Sequence, residues 1–151
     1  MRKIILAAVA VAAAAGFAAG SVLAEGNLDS RPETLELTLN SDLTMTLHQK
    51  GELLSVKEYK LETGQYYRWE ITMAAAGEEL GVAAPDLWRN SWIDQVVIED
   101  LEVHMFGAPY KFEFDDEGMI KVTFVPIRPG NYGFYAPGHE VRGMVGKFIV
   151  R

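Results

Sequence analysis

Cysteine is absent from all 151 residues, which excludes a disulfide framework, a thiolate metal ligand and a cysteine nucleophile. Positive charge is also scarce. Fourteen Lys and Arg stand against 21 Asp and Glu, a formal net charge of −7. With no basic stripe to displace phosphate counterions, no nucleic-acid partner is expected. The sequence also lacks a Gly-x-Ser-x-Gly elbow, a His-Glu-x-x-His pair and a glycine-rich phosphate loop. The adjacent carboxylates Glu78-Glu79 and Asp115-Asp116 lie in polar connections, where nothing sets them across a cleft for acid–base work. Asp115-Asp116-Glu117 also lacks the ligand spacing of a calcium loop. No enzyme is expected.

What is present is apolar. Hydrophobic residues make up 49% of the chain and charged residues 23%, a balance that folds rather than one that stays disordered. Some of that apolar content sits in an N-terminal segment: Met1-Arg2-Lys3, an Ala-rich run from Ile4 to Ala19, then Ser21-Val22-Leu23-Ala24. A cationic start, an apolar middle and small residues at Val22 and Ala24 read as a secretory signal peptide over residues 1–24. The alternative is a membrane anchor, but the run is rich in Ala and Gly and no basic stop follows it. The expectation is therefore a periplasmic or otherwise secreted protein without stable membrane insertion after cleavage. Losing those 24 residues, with their two cations, leaves one domain at 25–151 carrying 12 basic and 21 acidic side chains.

Within that domain, alternation dominates. Leu35, Leu37 and Leu39 oppose Glu36 and Thr38; Leu43, Met45 and Leu47 oppose Thr44, Thr46 and His48. Tyr67, Trp69, Ile71 and Met73 alternate with polar residues, as do Ile120, Val122 and Phe124. Period-two patterning marks strands buried on one face. Ile93–Ile98, Tyr110–Phe114, Tyr132–Tyr135 and Val145–Val150 are further strands, and Gly-containing turns at 62–64, 115–118 and 128–131 separate the runs. Seven or eight short strands predict an all-β Greek-key sandwich. Only Ala74 to Leu80 reads as locally helical. The connection from Ala74 to Trp92 carries Pro85, Leu87, Trp88 and Trp92, an apolar load that caps one end of the sandwich or docks another protein.

The most informative stretch is Pro129-Gly-Asn-Tyr-Gly-Phe-Tyr-Ala-Pro-Gly-His-Glu-Val-Arg-Gly-Met-Val-Gly-Lys147. It resembles the C-terminal copper loop of the cupredoxins, the plastocyanin and azurin family. In that family a Tyr-x-Phe-Tyr strand leads into Cys, a His follows three residues later, and a weak axial Met opens the last strand. The resemblance implies a cupredoxin sandwich and carries two ligand positions onto His139 and Met144. The thiolate position falls on Ala136, so a type 1 centre of two imidazoles, one thiolate and an axial Met is excluded. The family's first histidine has no counterpart near Ile93–Ile98, where Asn90 or Asp94 occupies the matching region. His104, just after Leu101-Glu102-Val103, is the candidate third ligand, because two imidazoles and a thioether suit copper. Adjacent residues of a strand face opposite ways, so Met105 does not join it. His48 reads as a solvated strand residue.

Two functions follow. One is a periplasmic copper carrier, buffer or atypical electron-transfer protein with a thiolate-free site. The other is a metal-free sandwich that docks a periplasmic protein partner through the 74–92 connection or the 136–144 edge. The acidic surface suits a cation or a basic partner equally.

Overall fold

The computed structural model describes residues 31–39, 53–74, 79–105 and 107–151. The segment read as a signal peptide, the strand expected over 43–47 and His48 all lie outside them. In chain order the strands are β1 (Glu33–Leu39), β2 (Glu58–Leu61), β3 (Tyr67–Met73) and β4 (Leu80–Ala83). A short helix α1 (Pro85–Arg89) follows, then β5 (Ser91–Ile98), β6 (Leu101–Val103), β7 (Lys111–Phe114), β8 (Gly118–Pro126), β9 (Gly130–Tyr135) and β10 (Val145–Val150).

Two five-stranded mixed sheets result, ordered β1-β3-β8-β5-β6 and β2-β10-β9-β4-β7. β1 runs parallel to β3, with Leu35 beside Trp69 and Leu37 beside Ile71. β10 runs parallel to β2 and antiparallel to β9. Burial follows the alternation that predicted it: every second residue of β3 from Tyr67 to Met73 is buried, as are Tyr132 and Phe134 in β9. The fold class is thus the expected β-sandwich. The three additional strands have separate causes. β4 is buried at all four positions and so shows no alternation. β6 is a three-residue edge. β2 does alternate, Glu58 and Lys60 outward against Tyr59 and Leu61 inward, in a run short enough to pass for a loop.

The helix expected over Ala74 to Leu80 falls largely outside the described residues, and Leu80 opens a strand. The helix that does form begins at Pro85, whose fixed φ and missing N–H suit a first helical position. Its Leu87 and Trp88 are buried while Trp92 stays 47% exposed, so the apolar load of this connection mostly caps the sandwich.

Aromatic rings tie the layers together. Trp69 of the first sheet meets Phe134 and Phe148 of the second edge-on, at centroid separations of 5.4 and 5.0 Å. Trp88 lies 5.8 Å from Trp69, and Tyr59 stacks on Phe148 at 5.0 Å. Such pairs contribute about 0.5–1.5 kcal/mol each beyond the burial of their area. Phe134 fits only because residue 146 is glycine: a Cβ there would overlap the Phe134 ring, which neighbouring aromatics hold in place.

Gly146→Ala should therefore destabilise the fold by about 1–3 kcal/mol in chemical denaturation, whereas Gly118→Ala, at a position with open space around it, should change little. A second expectation concerns alkaline pH. Burial pushes the Tyr59 phenol up to about 12 from 10.0, and its hydroxyl donates to the Glu36 carbonyl at 2.6 Å. The folded state thus favours the neutral phenol. Its contribution is complete below pH 10 and lost as pH rises towards 12. Tyrosinate absorbance should show one tyrosine ionising only as the protein unfolds.

Candidate metal centre

The loop between β9 and β10 is held by its own backbone. Ala136 donates to the Met144 carbonyl at 3.0 Å, extending the ladder that pairs Tyr135 with Val145. His139 N–H donates back to the Ala136 carbonyl at 3.0 Å. The His139 carbonyl in turn accepts from Arg142 at 3.0 Å and from Met144 at 3.4 Å. A single 3₁₀ turn, Glu140–Arg142, fills the interval and ends at Gly143 with φ 81°. Gly138 has φ 85°. Both glycines supply left-handed conformations that a side chain would strain.

His139 and Met144, separated by five positions, are thereby joined across one small loop. Met144 and Ala136 are completely buried, whereas His139 is partly exposed and Val141 is 90% exposed. Every hydrogen bond that His139 makes to a described residue uses its backbone. The strand beside β9 is β4, where Ala83 pairs with Tyr135. From there the chain passes through Ala84 into α1, which packs against β9. Ala83 and Ala84 are both buried, so this flank offers methyl groups.

The sequence reading sought the missing first histidine around β5. β5 belongs to the other sheet. Its Asp94 accepts a 2.6 Å hydrogen bond from the Tyr66 hydroxyl, at the bulge between Ile93 and Gln95. Asn90 closes α1, its side-chain amide donating to the Asp86 carbonyl at 2.8 Å. The signal for β4 was Ala83-Ala84-Pro85, small residues leading into a helix-starting proline. It carries no period, so alternation passed over it.

His104 follows β6, the edge strand of the first sheet, and its imidazole lies 3.8 Å from the Glu102 carboxylate. Its side chain is 69% exposed. Met105 packs partly against the core, and Met119 is exposed on β8. No cluster of three or more His, Asp or Glu suited to a metal occurs among the described residues.

Tyr135, bonded to the Tyr110 hydroxyl and close to the Glu140 and Asp86 carboxylates, has its phenol pushed up, first by the bond to Tyr110. Farther along the same sheet, Asp115 raises the carboxyl of Glu79 by sharing a hydrogen bond with it. As a donor set, Ala136, Ala83 and Ala84 do not fit a type 1 copper, which needs a thiolate and two imidazoles. One imidazole and one thioether do match the soft-donor preference of Cu(I).

Neither a protein-family model nor a curated protein sequence matches the chain. Solved structures do. A dithionite-reduced auracyanin from Roseiflexus castenholzii superimposes with TM-score 0.51 at 17% identity, over 81% of this chain and 99% of that one. A multi-copper oxidase from Pediococcus acidilactici gives 0.58 at 10% identity, over 82% of this chain but 27% of its own. A copper nitrite reductase from Nitrosomonas europaea gives 0.54 at 10% identity, over 80% of this chain and 49% of its own. The fold is cupredoxin-like. At such identities the likeness concerns the sandwich and leaves its chemistry to the residues. No helix among the described residues is long and apolar enough to cross a membrane.

If the loop is ordered by its left-handed glycines, Gly143→Ala should cost about 1 kcal/mol through backbone strain alone, since nothing lies within 4 Å of a Cβ there. Faster amide exchange at Ala136 and Met144, with the core amides of β3 unchanged, is the expected readout.

Proposed function

We propose that this is a periplasmic cupredoxin-like protein that binds copper without a thiolate, through His139 and Met144, with His104 as the third candidate ligand. The supporting observation is the division of labour in the loop. Backbone hydrogen bonds fix its shape, and those that His139 makes to described residues run through its N–H and carbonyl. Met144 supplies a soft, fully buried thioether five positions away. The buried methyl groups of Ala83, Ala84 and Ala136 exclude water from the inner side of the loop, and Glu140 places a carboxylate beside it, whereas Asp86 is paired with Arg89 at 3.1 Å. Bound copper would supply a one-electron couple or a transferable Cu(I) ion. The residues present favour the carrier or buffer role, because the thiolate that gives blue centres their strong electronic coupling is absent. Export by residues 1–24 would place the protein where copper is handled outside the cytoplasm.

The three buried alanines also favour a second reading, a metal-free docking module. Titration with Cu(I) against a competing chelator separates the two. One equivalent bound, weakened at least about tenfold by His139→Ala and by Met144→Leu, is the expected result; tenfold corresponds to about 1.4 kcal/mol. His104→Ala tests the third ligand independently. Affinity weaker than about micromolar in the unaltered protein would favour the docking module. Ala136→Cys loaded with Cu(II) should develop an intense visible band if His104 reaches the loop as the second imidazole and stay without one if it does not, because neither β4 nor α1 carries a histidine.

A further inference from the structure

The first sheet ends in an edge that is unusually apolar. Among the described residues β6 is paired only through β5, with Val96 opposite Val103, Val97 opposite Glu102 and Ile98 opposite Leu101. Directly opposed residues share a face of the sheet. Val96 is buried in the core, so Val103 opposite it, and the Ile98–Leu101 pair two positions along, lie on the inward face. Yet Leu101 is 70% exposed, Val103 43% and Ile98 41%. This corner extends past the cover that the described residues provide. Edge strands are ordinarily blunted by lysine, proline or a covering segment. β6 has neither residue, and its polar side chains on the outward face are Glu102 and, following it, His104.

That pattern is complementary to itself. Two copies meeting antiparallel about a two-fold axis must pair residues of the same face, which leaves few registers. Centred on Glu102, the pairing sets two carboxylates directly against each other. Centred on His104, it opposes two imidazoles. Centred on Val103, it places Glu102 opposite His104 of the second copy, twice. It also places Val103 against Val103 and Leu101 against Met105, a residue that already packs partly on the core. Carboxylate and imidazole are acceptor and donor, whereas like charges directly opposed are destabilising.

We propose that β6 is a homodimer edge: two copies of this chain pair antiparallel through residues 101–105, in register on Val103, to form one continuous sheet. The proposal is independent of the copper reading and is tested with chelator present throughout. Sedimentation equilibrium of the purified protein should show a monomer–dimer equilibrium. His104→Glu, which sets Glu102 against a second carboxylate at both symmetry-related contacts, should weaken dimerisation on the order of tenfold. Adding Glu102→Lys to that variant should restore it, because the exchanged charges again oppose each other across the axis. Both positions are exposed, and circular dichroism checks that the fold survives. A protein that stays monomeric at high concentration overturns the proposal. So does a dimer that ignores His104→Glu, or a double variant that fails to recover.

Discussion

Everything at the candidate centre depends on how Phe134 is seated. Its ring occupies the space where residue 146 would carry a side chain, and it meets Trp69 of the opposite sheet edge-on. This contact fixes the separation of the sheets and also the register of the β9–β10 hairpin. Ala136 lies two residues beyond Phe134 on the same inward face, and both are buried. A slip of one residue in β9 would turn Ala136 outward and break its bond to Met144. The geometry of the 136–144 loop thus follows from core packing.

The sandwich therefore does not depend on a ligating side chain at position 136. In a small metalloprotein whose core is insufficient, ligand loss removes folding energy outright. Here the loop is closed by five backbone hydrogen bonds among residues 136–144. Fully buried apolar side chains, each contributing about 1.5–3 kcal/mol on burial, surround its base. A methyl group at position 136 completes that packing.

Much of the fold was legible because half-buried strands write their burial into the sequence with period two. Residues 35–39, 67–73 and 120–124 announced themselves by alternation, and the Gly-containing turns separated the runs. β4 did not, because a strand covered on both sides has no polar face to alternate with. Its concealment left β5, beginning at Ser91, as the next strand readable after β3. The spacing of His139 and Met144 was legible from local motif alone. Their sharing of one loop is visible only in the backbone bonds. The exposure of Leu101 and Val103 was illegible for the opposite reason: the sequence shows apolar residues and gives no sign that the facing sheet stops short of them.

The buried and exposed members of the loop answer different questions. Met144 is fully buried, so packing alone accounts for a methionine there; leucine would fill similar volume. Ala136 is likewise explained by packing. His139 is not. Its φ of −120° is open to ordinary residues, its backbone makes the turn's hydrogen bonds, and its side chain is only partly buried. The fold therefore gives no reason for an imidazole at this position. The proposed metal role would supply one: an aromatic nitrogen donor on the loop that also carries the buried Met144 thioether. The weight of the metal reading rests on this residue rather than on the methionine beside it, and a docking module would gain as much from serine or lysine there.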